Sequence, residues 1–275
     1  MEHALGSQWT ASAEYRFVRG IKLGRTINSN LLPPVQQAGQ MTFPEQRLNP
    51  AYDSINQFRT DAGSSYNGMT VTVNRQFTEE FELMAGYTFS KSLDDASYDT
   101  EQPQAPYAPH QERALSLDDQ RQRFVVSGLW VLGPDLDDPQ DVHGAGKSNL
   151  LQKAFYGLEF APILAVNSGF HDNPITGTDS NREHIYPFAA RPLGLSRNSL
   201  QTPANVNFDL RILRMVPIWR GHLDIVAESF NLLNRQNVDL INPVYGPGST
   251  ASAGFAKPIQ MADPRRIQFS LDFEY

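Results

Sequence analysis

Hydrophobic and polar residues alternate strictly along several segments of the chain, most clearly in the last one, 265–275. One side of this segment carries Ile267, Phe269, Leu271, Phe273 and Tyr275. Polar residues fill the positions between them. A period of two residues is typical of a β-strand with one apolar and one polar face. The segment has about ten residues, the length of a tilted strand that crosses a membrane.

The same alternation recurs along the rest of the chain, and helical periodicity is almost absent. The predicted strands are 7–18, 65–77, 81–90, 121–133, 154–167, 205–217, 222–234 and 265–275. In 222–234 the apolar positions slip by one residue before Phe230, which predicts a β-bulge.

Long and short connections alternate between these strands. The long polar connections lie at about 20–64, 93–120, 168–204 and 235–264, and the tight turns at 78–80 and 218–221. The connection 134–153 is longer than a turn should be. Outer-membrane barrels have short periplasmic turns and long extracellular loops. A soluble β-sandwich also gives alternating strands, but loops of this length at every second connection are uncommon in compact domains. The pattern therefore favours an all-β, antiparallel transmembrane β-barrel segment.

Composition agrees with this prediction. Of the 275 residues, 40% are hydrophobic, and no apolar run reaches the length of about 18 residues that a membrane helix needs. Alternation keeps the average hydropathy of a barrel strand near neutral, so hydropathy alone does not reveal one. The net charge of −7 argues against nucleic acid as a partner. The absence of cysteine excludes disulfides and thiolate metal sites.

Candidate chemistry is sparse, so we expect no enzyme, no catalytic residue and no cofactor. Gly144 to Ser148 has the sequence Gly-Ala-Gly-Lys-Ser, but Asp141 stands where a phosphate loop needs its first glycine. The six histidines show no pair with the i, i+4 spacing of a helical zinc site. A cluster of carboxylates could hold a cation such as Ca²⁺, although a solvated loop is the commoner explanation. It consists of Asp94, Asp95, Asp99 and Glu101.

The polar side of the predicted strands is expected to face a lumen. It carries small residues, which suit a wide lumen: Thr70, Thr72, Gly86, Thr88, Ser90 and Ser270. It also carries charges that would be costly against lipid: Arg16, Asp209, Arg211, Glu228, Arg266, Asp272 and Glu274. These charges could line a substrate path, although any polar lumen wall would show the same pattern.

Four segments carry more specific patterns. They are Tyr66 to Phe77 with the exit Tyr87-Thr88-Phe89-Ser90-Lys91-Ser92-Leu93-Asp94-Asp95, Arg197 to Leu200 with Asn207 to Leu210, Ala227 to Asn234, and the final strand. Together, from about residue 9 to residue 275, they resemble the Oar-like TonB-dependent outer-membrane receptors. Gln201-Thr202-Pro203-Ala204 departs from the family's usual Gly-Pro-Gly-like step, which affects the shape of that loop.

The resemblance implies that 1–275 is the C-terminal part of a receptor barrel in the cell outer membrane, one that takes up a bulky nutrient. Such barrels have about 22 strands around a plugged lumen. The family's signal peptide, plug and TonB-contacting segment are not found in the sequence, so we expect a truncated product or fragment. TonB would be met only through the missing N-terminal plug region. The other expected partners are outer-membrane lipid and the barrel assembly machinery, which would recognise the final apolar face (Ile267, Phe269, Leu271, Phe273 and Tyr275).

Two alternatives remain open at this stage. A small, self-closed eight-strand barrel could serve as a surface adhesion or structural protein. A secreted sandwich could bind carbohydrate through the loop aromatics Tyr98, Tyr107 and Tyr245.

Overall fold

The computed structural model describes residues 1–37, 40–78, 81–132, 157–184, 190–218, 221–247 and 249–274, and its dominant feature is one antiparallel sheet. The main strands are β1 (Glu2–Leu5), β2 (Trp9–Asn28), β5 (Asn56–Thr78), β6 (Phe81–Asp94), β8 (Gln122–Leu132), β9 (Leu158–Asn167), β12 (Asn205–Ile218), β13 (Gly221–Phe230) and β16 (Arg266–Glu274). They pair in that order, so each strand lies beside its neighbours along the chain. The fold is thus an up-and-down meander rather than a sandwich.

Shorter elements belong to the connections. They are β3 (Val35–Gln37), β4 (Gln40–Thr42), the 3₁₀ helix Pro109–Glu112, β7 (Ala114–Leu115), β10 (His171–Asp172), β11 (Leu200–Gln201), β14 (Val238–Ile241) and β15 (Pro258–Met261). Among the residues that the structure describes, no helix is long and apolar enough to cross a membrane.

Each of the eight predicted strands is present, as β2, β5, β6, β8, β9, β12, β13 and β16. The structure adds β1, which pairs with the start of β2. The prediction of a loop over 20–64 is wrong, because β2 continues to Asn28 and β5 begins at Asn56. Many positions in this part of both strands are polar and interrupt the alternation, so the pattern predicts a loop. The two strands nevertheless stay paired through register shifts between Ile21 and Arg25.

The predicted bulge before Phe230 is also wrong. The pairing of β12 with β13 runs without a shift from Leu210 opposite Ser229 to Ile218 opposite Gly221. The apolar phase changes at Phe230 because the strand ends there, and Asn231 follows with a φ of 50°. Asparagine tolerates this left-handed conformation better than most residues.

The two faces of the sheet differ as the alternation predicts. On the face that we call the inner face, the hydroxyls of Thr70 and Thr88 lie 2.9 Å apart. The predicted charges fall on this face as well: the register places Glu228 opposite Arg211 on one side and Gln268 on the other. The opposite, outer face is apolar. It includes the exposed side chains of Tyr15, Phe17, Met69, Phe89, Trp130, Ile225, Phe269 and Leu271.

All long connections leave one end of the sheet, which we call the loop end. They are 29–55, 95–121, 168–204 and 231–265, and together they form the loop layer. At the opposite, turn end, the strands that follow one another are β1 and β2, β5 and β6, β8 and β9, and β12 and β13. The predicted alternation of connections is therefore confirmed, with residues 79–80, 133–156 and 219–220 outside the described part of the chain. Most of the best-buried side chains, such as Phe43 and Leu31, lie in the loop layer, and others, such as Arg25, lie at the loop end of the sheet.

The sheet is open. Its path begins at β1 and ends at β16, and within the described ranges these two strands do not pair. Every residue of β16 is exposed. In a barrel, both edges would need partners, because unpaired backbone groups are not tolerated in hydrocarbon.

Candidate functional site

Loop 168–204 connects the other three long connections of the loop layer. The backbone nitrogen of Phe43 donates to Asn181 O at 2.8 Å, which joins loop 29–55 to loop 168–204. The side chain of Asn198 donates to Leu115 O at 2.7 Å and joins loop 95–121. A parallel bridge between Ile175 and Val244 joins loop 231–265. One loop therefore contacts each of the other three.

A buried ion-pair cluster fixes this loop to the sheet, and we call it the Arg197 cluster. The Arg197 guanidinium lies 2.7 Å from Asp94 at the end of β6, through Nη1 and Oδ1. It also makes two bonds to Glu101, of 2.5 Å from Nε and 2.6 Å from Nη2. The hydroxyl of Ser97 accepts from Nη2 at 2.9 Å and donates to Asp94 Oδ2 at 2.9 Å. Paired guanidinium and carboxylate groups of this geometry are among the strong hydrogen bonds of proteins.

Burial alone would lower the pKa of the Arg197 side chain, but the hydrogen bonds and charges of Glu101 and Asp94 outweigh it and raise that pKa. The guanidinium therefore stays charged at every pH of interest. Its side chain is only 2% exposed. Removing it would leave two carboxylates buried without a positively charged partner, which is far more costly than losing a surface pair.

A second cluster lies beside the first and uses the unpredicted extension of β2. Arg25 Nε is 2.9 Å from Asp61 Oδ1, and Arg25 Nη2 is 3.1 Å from Asp95 Oδ2. Lys22 has a φ of 55° at the register shift, and beyond it Arg25 is almost completely buried. Asp95 also accepts the backbone nitrogen of Gly63 at 2.5 Å. The adjacent residues Asp94 and Asp95 thus each hold a different arginine.

A third cluster contains a buried carboxyl group that lacks a full set of partners. Arg191 and Glu112 form a pair with contacts of 2.7 and 2.9 Å. Nearby, Glu183 is completely buried, and its Oε1 accepts a hydrogen bond from Asn181. Glu183 Oε2 has no hydrogen-bond partner among the described residues. Burial, only partly offset by Arg191, raises the pKa of Glu183 well above its ordinary value.

This shift predicts that Glu183 weakens the loop layer as pH rises. Its pKa is higher in the folded than in the unfolded protein, so the folded protein binds more protons above the ordinary pKa, and stability falls as pH rises through that interval. Glu183→Gln removes the charge and keeps an oxygen for Asn181. Calorimetry between about pH 5 and about pH 8 should show a flatter stability profile for this variant.

The matched control for this experiment is Glu45→Gln, because the Glu45 side chain is 80% exposed and pairs with Arg182 only at 3.6 Å. The control should keep the slope of the unmodified protein. Parallel pH profiles for the unmodified protein and Glu183→Gln would contradict the prediction.

Beneath the loop layer, a polar pocket of about 500 Å³ lies at the loop end of β12, β13 and β16. Its lining includes Asn205, Asn207, Asp209, Phe230, Asn231, Asn237, Asp239, Asp263 and Arg266. Asp209 accepts the backbone nitrogen of Asn231 at 2.8 Å. The Arg266 guanidinium lies 5.9 Å from the ring centre of Phe230. Polar groups with one aromatic ring can bind a hydrated, polar ligand at the mouth of a lumen.

The structure also shows the surroundings of the other candidate residues that the sequence suggested. Asp94, Asp95 and Glu101 are neutralised by arginines rather than gathered around a cation, and Asp99 is exposed. In the described ranges, no group of histidine and acidic residues has the arrangement of a metal site. The segment 144–148 lies outside the described residues.

The three loop tyrosines, Tyr98, Tyr107 and Tyr245, interact with different groups. Tyr107 donates to Leu31 O, and Tyr245 donates to Ser249 O at 3.1 Å. Burial, followed by the charge of Glu101, raises the pKa of Tyr98. Among the described residues, the ring contact of Tyr245 is with Phe255, at 5.0 Å between ring centres, rather than with Tyr98 or Tyr107.

The final apolar face is where the alternation predicts it. Ile267, Phe269, Leu271 and Phe273 lie exposed along β16, and Tyr275 falls outside the described residues. Their place in the sheet is consistent with an assembly signal, which stays a prediction.

Sequence reasoning missed the ion-pair clusters, although two of its patterns contain their members. Asp94 and Asp95 close the exit of the first hairpin pattern, and Arg197 opens the second pattern. In the Arg197 cluster, the side chains that pair are 96 residues apart for Arg197 and Glu101 and 103 apart for Arg197 and Asp94. The sequence signal for this cluster was that one motif ends in acidic residues and a later motif begins with an arginine.

Comparisons with known proteins agree with this geometry. Residues 1–195 match the model of a family described as "Outer membrane beta barrel domain". The fold is similar to the outer membrane transporter YddB from Escherichia coli, with a TM-score of 0.56 and 11% identity. The similarity covers 98% of this chain and 31% of that one, so the chain spans about a third of that transporter's length. No curated protein matched the sequence.

Proposed function

Since the chain belongs to the outer membrane beta barrel domain family and lies in the outer membrane, we propose that it forms wall and mouth of a TonB-dependent transporter for a bulky nutrient. In this proposal the chain contributes a passage and its outer loops, without catalysis or a cofactor. TonB would act through a plug region outside these residues. The Oar-like receptors, which the sequence motifs resemble, are the receptor type proposed.

The open sheet is the observation that carries the proposal. Within the described ranges, β1 and β16 have no partner on their outer edges after a path of nine strands, and β16 is exposed along its whole length. This geometry favours a barrel with many more strands over the self-closed eight-strand alternative. A barrel of about 22 strands would have a lumen wide enough to hold a plug. The similarity over about a third of a transporter's length supports the same view.

The loop layer supports uptake rather than a purely structural role. Buried arginine and carboxylate pairs fix the long loops to the loop end of the sheet, and a polar pocket lies at the same end. Long loops that are fixed by ion pairs beside a polar pocket suit a transporter that captures its substrate before passage. An adhesin would need only exposed loop tips.

Uptake experiments test the proposal. Cells with and without the gene should be compared for growth on a panel of ferric siderophores, cobalamin, oligosaccharides and oligopeptides as limiting nutrients. We expect the deletion to abolish growth on at least one of them, and a tonB deletion to have the same effect. Growth of the deletion strain on every nutrient of the panel, at the unmodified rate, would contradict uptake. Loss of growth that is independent of TonB would contradict the energy source.

The alternation of connections also predicts an orientation, with loops 93–120, 168–204 and 235–264 outside the cell and turn 78–80 in the periplasm. The chain has no cysteine, so single introduced cysteines report without background. On whole cells, a membrane-impermeant maleimide should label Asp99→Cys and spare Glu79→Cys. After cell lysis both should react. Labelling of Glu79→Cys alone on whole cells would reverse the orientation.

A further inference from the structure

On the outer face near the turn end, an apolar groove of about 310 Å³ crosses β6, β8, β9 and β12. Its walls include Phe81, Leu83, Trp130, Phe160 and Phe208. Gly128, which lies opposite Leu83 in the register, also lines the groove and adds no side chain to it. We call this feature the Gly128 groove.

The position of the Gly128 groove restricts what can cover it. It crosses four central strands of the sheet, away from the free edges at β1 and β16, so an additional barrel strand would not reach it. It also opens on the face opposite to the loop layer. In an outer-membrane barrel this face contacts lipid. A hydrocarbon chain therefore fits both the shape and the apolar walls.

A cationic side chain lies beside the groove on the same face. Arg75 is opposite Leu83 in the register, and its guanidinium carbon lies 4.9 Å from the ring centre of Phe81. The ring centre of Trp9 is 5.8 Å from the same carbon. An arginine between two rings at a membrane interface is held by cation–π attraction and costs little there.

The guanidinium has hydrogen-bonding capacity to spare. Among the described residues, it makes one long hydrogen bond of 3.4 Å, from Nη2 to Gln8 Oε1. Its Nε is buried without a hydrogen-bond partner in the same part of the chain. Carboxylates pair with the arginines of the loop layer, whereas the described residues bring no carboxylate to Arg75. A phosphate oxygen would satisfy such a guanidinium with charge-assisted hydrogen bonds.

We propose that Arg75 and the Gly128 groove bind an anionic phospholipid of the periplasmic leaflet, with its phosphate at Arg75 and one acyl chain in the groove. The leaflet follows from the proposed orientation, which places the turn end in the periplasm. The lipid site is otherwise independent of the substrate that the barrel transports. It makes this position on the outer wall selective for the charge of the lipid headgroup.

The test uses protein taken from outer membranes in polymer-bounded discs, without detergent, so that bound lipids stay with it. Mass spectrometry then gives the ratio of phosphatidylglycerol to phosphatidylethanolamine, for the unmodified protein and for Arg75→Gln. Titration with phosphatidylglycerol after transfer to micelles gives the affinity. We expect Arg75→Gln to lose the enrichment and to bind about tenfold more weakly, a typical effect of a charge-assisted hydrogen bond. Arg75→Lys should keep part of the affinity.

Two controls separate the site from general effects. Arg19→Gln removes an exposed arginine at the other end of the outer face and should leave both readouts unchanged. Val126→Phe fills the groove from β8 and keeps Arg75, and it should weaken binding as well. The amount of each variant in the outer membrane is measured in parallel. Equal enrichment in the unmodified protein and in Arg75→Gln would overturn the proposal.

Other occupants would give different results. If inorganic phosphate binds as tightly as phosphatidylglycerol, Arg75 is a site for a free anion and the acyl chain plays no part. If lipid binds only after segment 133–156 is shortened, that segment of the chain fills the groove. Either result would overturn the lipid site. Neither would affect the proposed transport function, which is read from growth.

Discussion

Replacing Arg197 by methionine should destabilise the loop layer by about 3–5 kcal/mol, because Asp94 and Glu101 would remain buried without a positive charge. Methionine keeps much of the length of the side chain but none of its hydrogen bonds. The sheet itself should persist, since its strands pair independently of this cluster. Chymotrypsin digestion on whole cells measures the effect, and we expect rapid new cleavage within loops 95–121 and 168–204.

The charge and the geometry of Arg197 can be tested separately. Arg197→Lys restores the charge without the paired geometry, so its cleavage should fall between that of the unmodified protein and that of Arg197→Met. Arg16→Met is the control, since Arg16 and Glu14 form a pair with side chains 67% and 62% exposed. Equal cleavage of Arg197→Met and Arg16→Met would contradict the role of the cluster.

Placing aspartate at Phe273 should lower the amount of protein in the outer membrane several-fold, because it interrupts the apolar face that the assembly machinery is expected to recognise. The direct cost of a charge near a membrane interface is only about 0–1 kcal/mol, so instability alone would not produce this loss. Phe273 is exposed on β16, next to the end of the chain. Quantitative immunoblotting of outer-membrane fractions measures the amount, and deletion of Tyr275 should have a similar effect.

The register provides a matched control for this experiment. Leu223 on β13 pairs with Phe273, so Leu223→Asp places the same charge at the same height on the neighbouring strand. We expect Leu223→Asp to accumulate at nearly the unmodified level. If both substitutions lower the amount equally, the loss comes from charge on the outer face. If Phe273→Asp and the deletion of Tyr275 both accumulate normally, this strand has no role in assembly.

The sequence predicts the sheet well because the information for a strand is local. The alternation in β16 needs nine consecutive residues, from Arg266 to Glu274, and the same is true of the other main strands. The two errors arose where alternation fails. Polar residues interrupt the alternation in the part of β2 near the loop end, so the pattern there predicts a loop. The phase change at Phe230 marks the end of a strand rather than a bulge.

The loop layer could not be predicted in the same way. Arg25 falls in a segment whose polar residues predict a loop, and its burial depends on register shifts with β5. Arg197 and Asp94 are 103 residues apart, and no local pattern links them. The motifs that resemble a receptor family include both Asp94 and Arg197, but only the folded structure shows that these two residues pair.

The separation of these partners has a consequence for the order of folding. Each main strand pairs with its neighbours along the chain, so a hairpin such as β5 and β6 needs only a short loop to close. Closing a longer loop costs more entropy, and contacts of high sequence separation form slowly. The Arg197 cluster requires β6, β8 and β9 to be in place first. The loop layer should therefore form last during biogenesis and open first under stress, while the sheet stays intact.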